Sequence, residues 1–185
     1  MPYRSTLKEG GASVYIAARN TGKNGQVIFR GSEDYAHFLK LLRRLLRTTD
    51  GVSICGFTLL KGSFRLLLHE QHRGVSAKLI QRLSIAYSIY FNAKYSKTGK
   101  VFAGPYKDRL LASDDEVIEV LCGFHRLPEV EQQDIEAYQW SSYHYYLAQR
   151  GSWIDKTFVE TYFGNQPYEN NLRHMTSTVS ATEAW

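Results

Sequence analysis

Cysteine is scarce in this chain: two in 185 residues, Cys55 and Cys122, far apart and each inside an apolar segment. The absence of a C-x-x-C pair removes the common zinc and redox motifs. Two buried free thiols in a reducing compartment are the expectation. No run approaches the roughly 18 apolar residues of a membrane span. The start, "MPYRSTLKEGGAS", lacks the apolar core of a signal peptide, so a cytoplasmic protein with no membrane partner is expected. The loop "NTGKNGQ" lacks the Gly-x4-Gly-Lys-Ser/Thr spacing of a phosphate-cradling loop. No dinucleotide loop, Ser-His-Asp set, paired-carboxylate signature or internal repeat stands out, and no cofactor is expected.

Acidic residues are also scarce, but only in the front of the chain. Residues 1–112 hold 19 Lys and Arg against 6 Asp and Glu, a balance of +13, whereas residues 113–185 hold 4 against 12, a balance of −8. A basic front of this size points to a polyanionic partner, nucleic acid above all. The apolar fraction of 43% and the aromatic fraction of 14% place the chain among folded proteins.

What is present is a regular alternation of strand and helix signals. "ASVYIAARN" is a first strand. A helix follows, with Ser32 as N-cap, Glu33 and Asp34 in its first turn, and an apolar face of Tyr35, Phe38, Leu39, Leu42, Leu45 and Leu46. Lys40, Arg43, Arg44 and Arg47 form a basic stripe on the same helix. "CGFTLLKGSFRLLLHE" is a β-hairpin turning at Lys61-Gly62. Its second strand places Ser63, Arg65, Leu67 and His69 on one face and Phe64, Leu66 and Leu68 on the other. A second helix spans about 76–94, its core side marked by Leu79, Leu83, Ala86, Tyr87 and Tyr90. A basic loop then leads to a strand near 107–112. Ser113 and Glu116 form a capping box for a third helix, which stops before Pro128. "YQWSSYHYYLAQ" and "DKTFVETYF" are short closing helices, and from Gly164 on the chain is a loose polar tail. The order predicts an α+β protein: a ferredoxin-like antiparallel sheet (βαββαβ), helices on one face, with additional C-terminal helices. The expected division is one domain over 1–163 and a tail over 164–185.

Four segments in this order, "QVIFRGSEDYAHFLKLL", the hairpin, "YSIYFNAKYSKTGKVFAGPYKDRLL" and "YQWSSYHYY", resemble the REP-associated tyrosine transposases, bacterial members of the single-tyrosine HUH superfamily. The likeness covers roughly residues 14–147. It implies a ferredoxin-like fold, binding to hairpin-forming DNA, and cleavage of single-stranded DNA by a tyrosine with a divalent metal held by two histidines. Laid on the family pattern, Ser63 and Arg65 stand where the two histidines belong, Gly123 stands for the tyrosine and Leu127 for an asparagine that completes the metal site. An arginine of the family's loop is replaced by Pro105, before Tyr106 and Lys107. A neutral serine is a poor ligand, and arginine keeps its proton and repels a cation. The resemblance therefore implies a degenerate member with no metal and no catalytic residue. A site rebuilt from His69, His72 and His125 is the alternative that would keep an active, divergent metal-dependent nuclease or transposase.

The expectation is a transposase-derived, catalytically inactive DNA-binding protein, a regulator of gene expression associated with the bacterial nucleoid. Its partner would be DNA, double-stranded or hairpin, bound by a monomer or homodimer, with RNA as a second possible partner. The residues assigned to contact are Arg65, Lys78, Arg82, Lys94, Lys97, Lys100, Tyr106, Lys107 and Arg109, the lysines and arginines for phosphates and Tyr106 or Tyr95 for stacking on a base.

Overall fold

The computed structural model describes residues 13–148, 152–164 and 169–178. Its core is a four-stranded antiparallel sheet in the order β2-β3-β1-β4. The strands are β1 (Val14–Thr21), β2 (Val52–Leu60), β3 (Ser63–Glu70) and β4 (Lys107–Leu111). Helix α1 (Ser32–Leu46) joins β1 to β2, and α2 (Val75–Lys94) joins β3 to β4. This is the ferredoxin-like arrangement, α+β in class. Then come α3 (Asp114–Arg126), α4 (Tyr143–Leu147), α5 (Thr157–Tyr162) and α6 (Glu169–Thr178). Among the described residues no helix is long and apolar enough to cross a membrane, and Cys55 and Cys122 are free and buried.

Alternation along β3 divides the core into two layers. Phe64 meets Phe38 of α1 and Phe102, and Tyr87 of α2 closes on Phe38. Leu67 lies on the opposite face beside Gly56 of β2, and a Cβ on Gly56 would stand 2.6 Å from Leu121 Cδ1 of α3. The two helices of the βαββαβ unit, α1 and α2, therefore share one face, as its strand–helix order predicts, and α3 lies across the other. The outer edge of β2 is closed as well. Leu59 N–H donates to the Trp140 carbonyl at 2.9 Å, Ser142 N–H to Phe57 at 2.8 Å, and Asp155 N–H to Ile54 at 2.8 Å.

Local signals explain most boundaries. The Ser113 hydroxyl accepts the Glu116 amide, and the Glu116 carboxylate accepts the Ala112 amide, so α3 opens on a reciprocal cap. It ends at Arg126 and passes into a 3-10 turn, Leu127–Glu131, that holds Pro128. The cap of α1 differs from expectation. Gly31 is the extended residue at its start, Ser32 is the first helical residue, and the Arg30 amide donates to Asp34 Oδ2 at 2.7 Å. Part of the expected loose tail is also ordered: α6 buries Leu172 and Thr176, and the Arg126 guanidinium of α3 donates to the Ser177 carbonyl.

Asp34 locks the helical layer. Its fully buried carboxylate accepts from Lys94 Nζ at 2.8 Å, Tyr95 Oη at 2.7 Å, Tyr90 Oη at 2.9 Å and the Arg30 amide. Burial alone would raise its pKa, but Lys94, Tyr95, Arg30 and Tyr90 together outweigh burial and hold it down from its ordinary 3.8 to about 2.

Because the folded pKa is depressed, this stabilisation is complete above about pH 4 and is lost as pH falls toward 2. Asp34→Asn is expected to lower stability at neutral pH by about 2 kcal/mol. Its deficit relative to the parent should shrink between pH 4 and 2, as read by urea unfolding across that range.

Gly56→Ala is expected to cost about 1–3 kcal/mol by pushing α3 off the sheet. Gly104→Ala, where an added Cβ meets nothing within 4 Å, should leave the melting temperature unchanged in the same scan.

Candidate nucleic-acid interface

The sheet face under α3 carries a row of basic side chains that strand pairing creates. Arg65 of β3 pairs with Thr58 of β2 on one side and Arg19 of β1 on the other. Arg19 pairs in turn with Lys107 of β4. All four side chains point to the same face, so three cations lie side by side across three strands. Exposure rises along the row: Thr58 is fully buried, Arg65 is 9% exposed, Arg19 is half-buried and Lys107 is exposed. One step along the strands, Arg109 pairs with Ala17, and its guanidinium meets Glu116 at 3.2 Å. Arg19 was missed in the sequence. Its place in an alternating strand was visible, but its pairing with a residue 46 positions away was not.

Arg65 is poorly satisfied for a buried cation. Its Nη1 donates to the carbonyl of Phe64 at 3.3 Å, and its Nε has no hydrogen-bond partner among the described residues. Burial, and then the neighbouring Arg19 charge, lower its pKa to about 10, which leaves it protonated at neutral pH. Ser63, two residues before it on the same face, is also buried.

These side chains do not fit the divalent metal that the resemblance implies. A guanidinium that cannot lose its proton stands where a ligand would be, beside a neutral hydroxyl and a second guanidinium. The helix laid over this face does approach the row: Thr58 Oγ1 donates to the Phe124 carbonyl of α3 at 2.6 Å. At that level α3 carries Gly123 and Phe124, both buried, and Leu127 follows, buried at the start of the 3-10 turn.

The three histidines considered for a rebuilt site lie in different surroundings. His125 is fully buried with Nε2 3.0 Å from Ser142 Oγ, and burial followed by His144 lowers its pKa to about 3, so it is neutral. His69 stacks on Tyr15 with centroids 4.6 Å apart and has Asp155 at 3.9 Å. His72 is exposed in the turn after β3. Among the described residues no group of three or more His, Cys, Asp or Glu side chains is placed to hold a metal ion.

The remaining assigned residues separate into different regions. Lys78 and Arg82 lie exposed on α2, with Arg82 Nη1 reaching Thr49 Oγ1 beyond the end of α1 at 3.3 Å. Lys97 and Lys100 are exposed on the loop between α2 and β4. Lys100 and Tyr106 border a groove of about 1210 Å³ between α2, that loop and β4, and Ile85 and Ile89 stand exposed on its α2 side. Lys94 is engaged elsewhere, bridging Glu33 at 3.0 Å and Asp34 at 2.8 Å. The Tyr95 hydroxyl binds Asp34, and the Arg30 guanidinium lies 4.4 Å from its ring centroid. The stripe on α1 is divided too: Arg43 packs 5.4 Å from the Trp153 ring on the β2 side. Of the contact residues assigned from sequence, the structure thus brings together Arg65, Lys107 and Arg109 on one sheet face and adds Arg19.

No family model matches the sequence, and no curated protein matches it. Among solved structures the chain is similar to a REP-associated tyrosine transposase bound to a REP hairpin, with a TM-score of 0.62 over 84% of this chain and 94% of that one. Identity is 8%, so the likeness establishes a shared fold.

Proposed function

We propose that this chain is a DNA-binding protein on a transposase-like fold, one that binds hairpin-forming DNA without cutting it and serves as a regulator of gene expression. The observation that carries the reading is the Arg65–Arg19–Lys107 row. It puts fixed positive charge on the sheet face that α3 crosses, where the family resemblance implies imidazoles and a tyrosine for cleavage. Fixed cations bind phosphates and supply no nucleophile. The similar structure is of a transposase bound to a REP hairpin, which supports a DNA hairpin as the partner. Buried Gly123 and Phe124 on α3 offer no hydroxyl to attack a phosphodiester.

Affinity for hairpin DNA measured across a salt series tests the binding face. Each phosphate contact removed should lower the slope of log K against log salt by about 0.7–0.9. Arg65→Ala with Lys107→Ala is expected to weaken binding and flatten the slope, and Arg43→Ala with Arg44→Ala to do less. The opposite ranking would move the interface to the helical layer.

Incubation of the full chain with hairpin-bearing single strands and Mn²⁺ is expected to give no covalent protein–DNA adduct on a denaturing gel. An adduct would mean that one of the other tyrosines is a nucleophile, and the non-cutting part of the reading would fail.

A further inference from the structure

Strand pairing sets Arg65 directly against Arg19. Like charges in that position destabilise a sheet, and burial adds to the cost for Arg65. Buried cations are ordinarily matched by a carboxylate or by several acceptors. Arg65 has five N–H donors in a fixed fork, yet among the described residues its one hydrogen bond is the 3.3 Å contact with the Phe64 carbonyl, and its Nε is unmatched. Among the described residues no ion pair joins it to a carboxylate. On this face the Glu116 carboxylate pairs with Arg109, one step along the strands.

Two guanidiniums side by side suit a group that accepts from both at once. A tetrahedral oxyanion does so, because its oxygens can take parallel N–H bonds from each fork while its charge relieves their repulsion. We propose that Arg65 and Arg19, with Lys107 at the open end, form a binding site for a single phosphate group. Ser63, next to Arg65 on the same face, adds a hydroxyl at the margin. The gradient of exposure from Arg65 through Arg19 to Lys107 makes the β4 side the entrance. The inference rests on the nucleic-acid reading for the source of the phosphate, a backbone phosphodiester. The site itself calls only for phosphoryl oxygens.

Thermal melting of the full chain, titrated with inorganic phosphate or dimethyl phosphate at matched ionic strength in chloride, tests it. A saturable rise in melting temperature is expected with both. Arg65→Met should melt higher than the parent in chloride, since an unmatched buried charge is gone, and should lose the saturable rise. Arg19→Met should weaken phosphate affinity at least tenfold, and Lys40→Met, at an exposed position of α1 on the other side of the sheet, should leave it unchanged. If Arg65→Met does not fold, Arg19→Met decides. No saturable rise in the parent protein, a rise that survives at Arg65→Met, or an undiminished phosphate affinity at Arg19→Met overturns the proposal and makes Arg65 a structural residue. A rise with inorganic phosphate but none with dimethyl phosphate supports the site and assigns it to a terminal or free phosphate. Binding of hairpin DNA is measured separately. Phosphate binding without DNA binding sinks the proposed function alone, and DNA binding without a phosphate site sinks this inference alone.

Discussion

Strand β3 is buried on both faces, and the other elements are placed by that constraint. Seven of its eight residues are buried, as a strand between two neighbours and under helices on both sides must be. Its Phe64, Leu66 and Leu68 draw α1 and α2 to one face, and Leu67 beside Gly56 lets α3 approach the other. Every polar residue on such a strand needs a partner. Glu70 has its partners: it accepts the Gly74 and Ser76 amides and the Ser76 hydroxyl, and thereby fixes the start of α2. Arg65 does not.

The contrast between Arg65 and Asp34 sharpens this point. Both are buried charges of the same small domain. Asp34 collects three side-chain donors and a backbone amide and binds α1 to the end of α2. A buried charge with that many partners is structural, because the layer it joins would lose its lock without it. Among the described residues Arg65 makes no hydrogen bond to another element, since its bond returns to its own strand. Its place opposite Arg19 raises the electrostatic cost. A buried charge with so few partners is what the proposed phosphate site accounts for.

Much of the fold was legible in the sequence because its signals are local. The Lys61-Gly62 hairpin, the Ser113–Glu116 cap, the stop at Pro128 and the alternating faces of β3 each follow from a few neighbouring residues. What was not legible depends on register and on packing between distant segments. The opposition of Arg19 and Arg65 follows from antiparallel pairing of β1 with β3, which no short window contains. The diversion of Lys94 follows from Asp34, 60 residues away. A polar composition hid α6, whose burial rests on the few side chains that meet α3. Residues that adjoin in sequence parted because alternation along β4 sends Lys107 and Arg109 to the α3 face, while Lys100 and the aromatic Tyr106 border the groove by α2.

The uneven charge of the chain acquires a spatial meaning through α3. Its acidic first turn, Asp114 to Glu116, lies at the β4 end, where Glu116 neutralises Arg109. Its carbonyl end reaches Thr58, at the buried end of the basic row. One helix of the acidic third thus offsets the positive charge of Arg109 at one level of the sheet face, and Arg65, Arg19 and Lys107 stand together at the next. A polyanion approaching that face meets the exposed Lys107 first and the buried Arg65 last. Exposed charges act on encounter and are weakened by salt, whereas buried ones act on the bound state and are screened little. In the proposed phosphate site the row would separate two tasks by depth: attraction at its open end, and retention of a phosphate at its closed one.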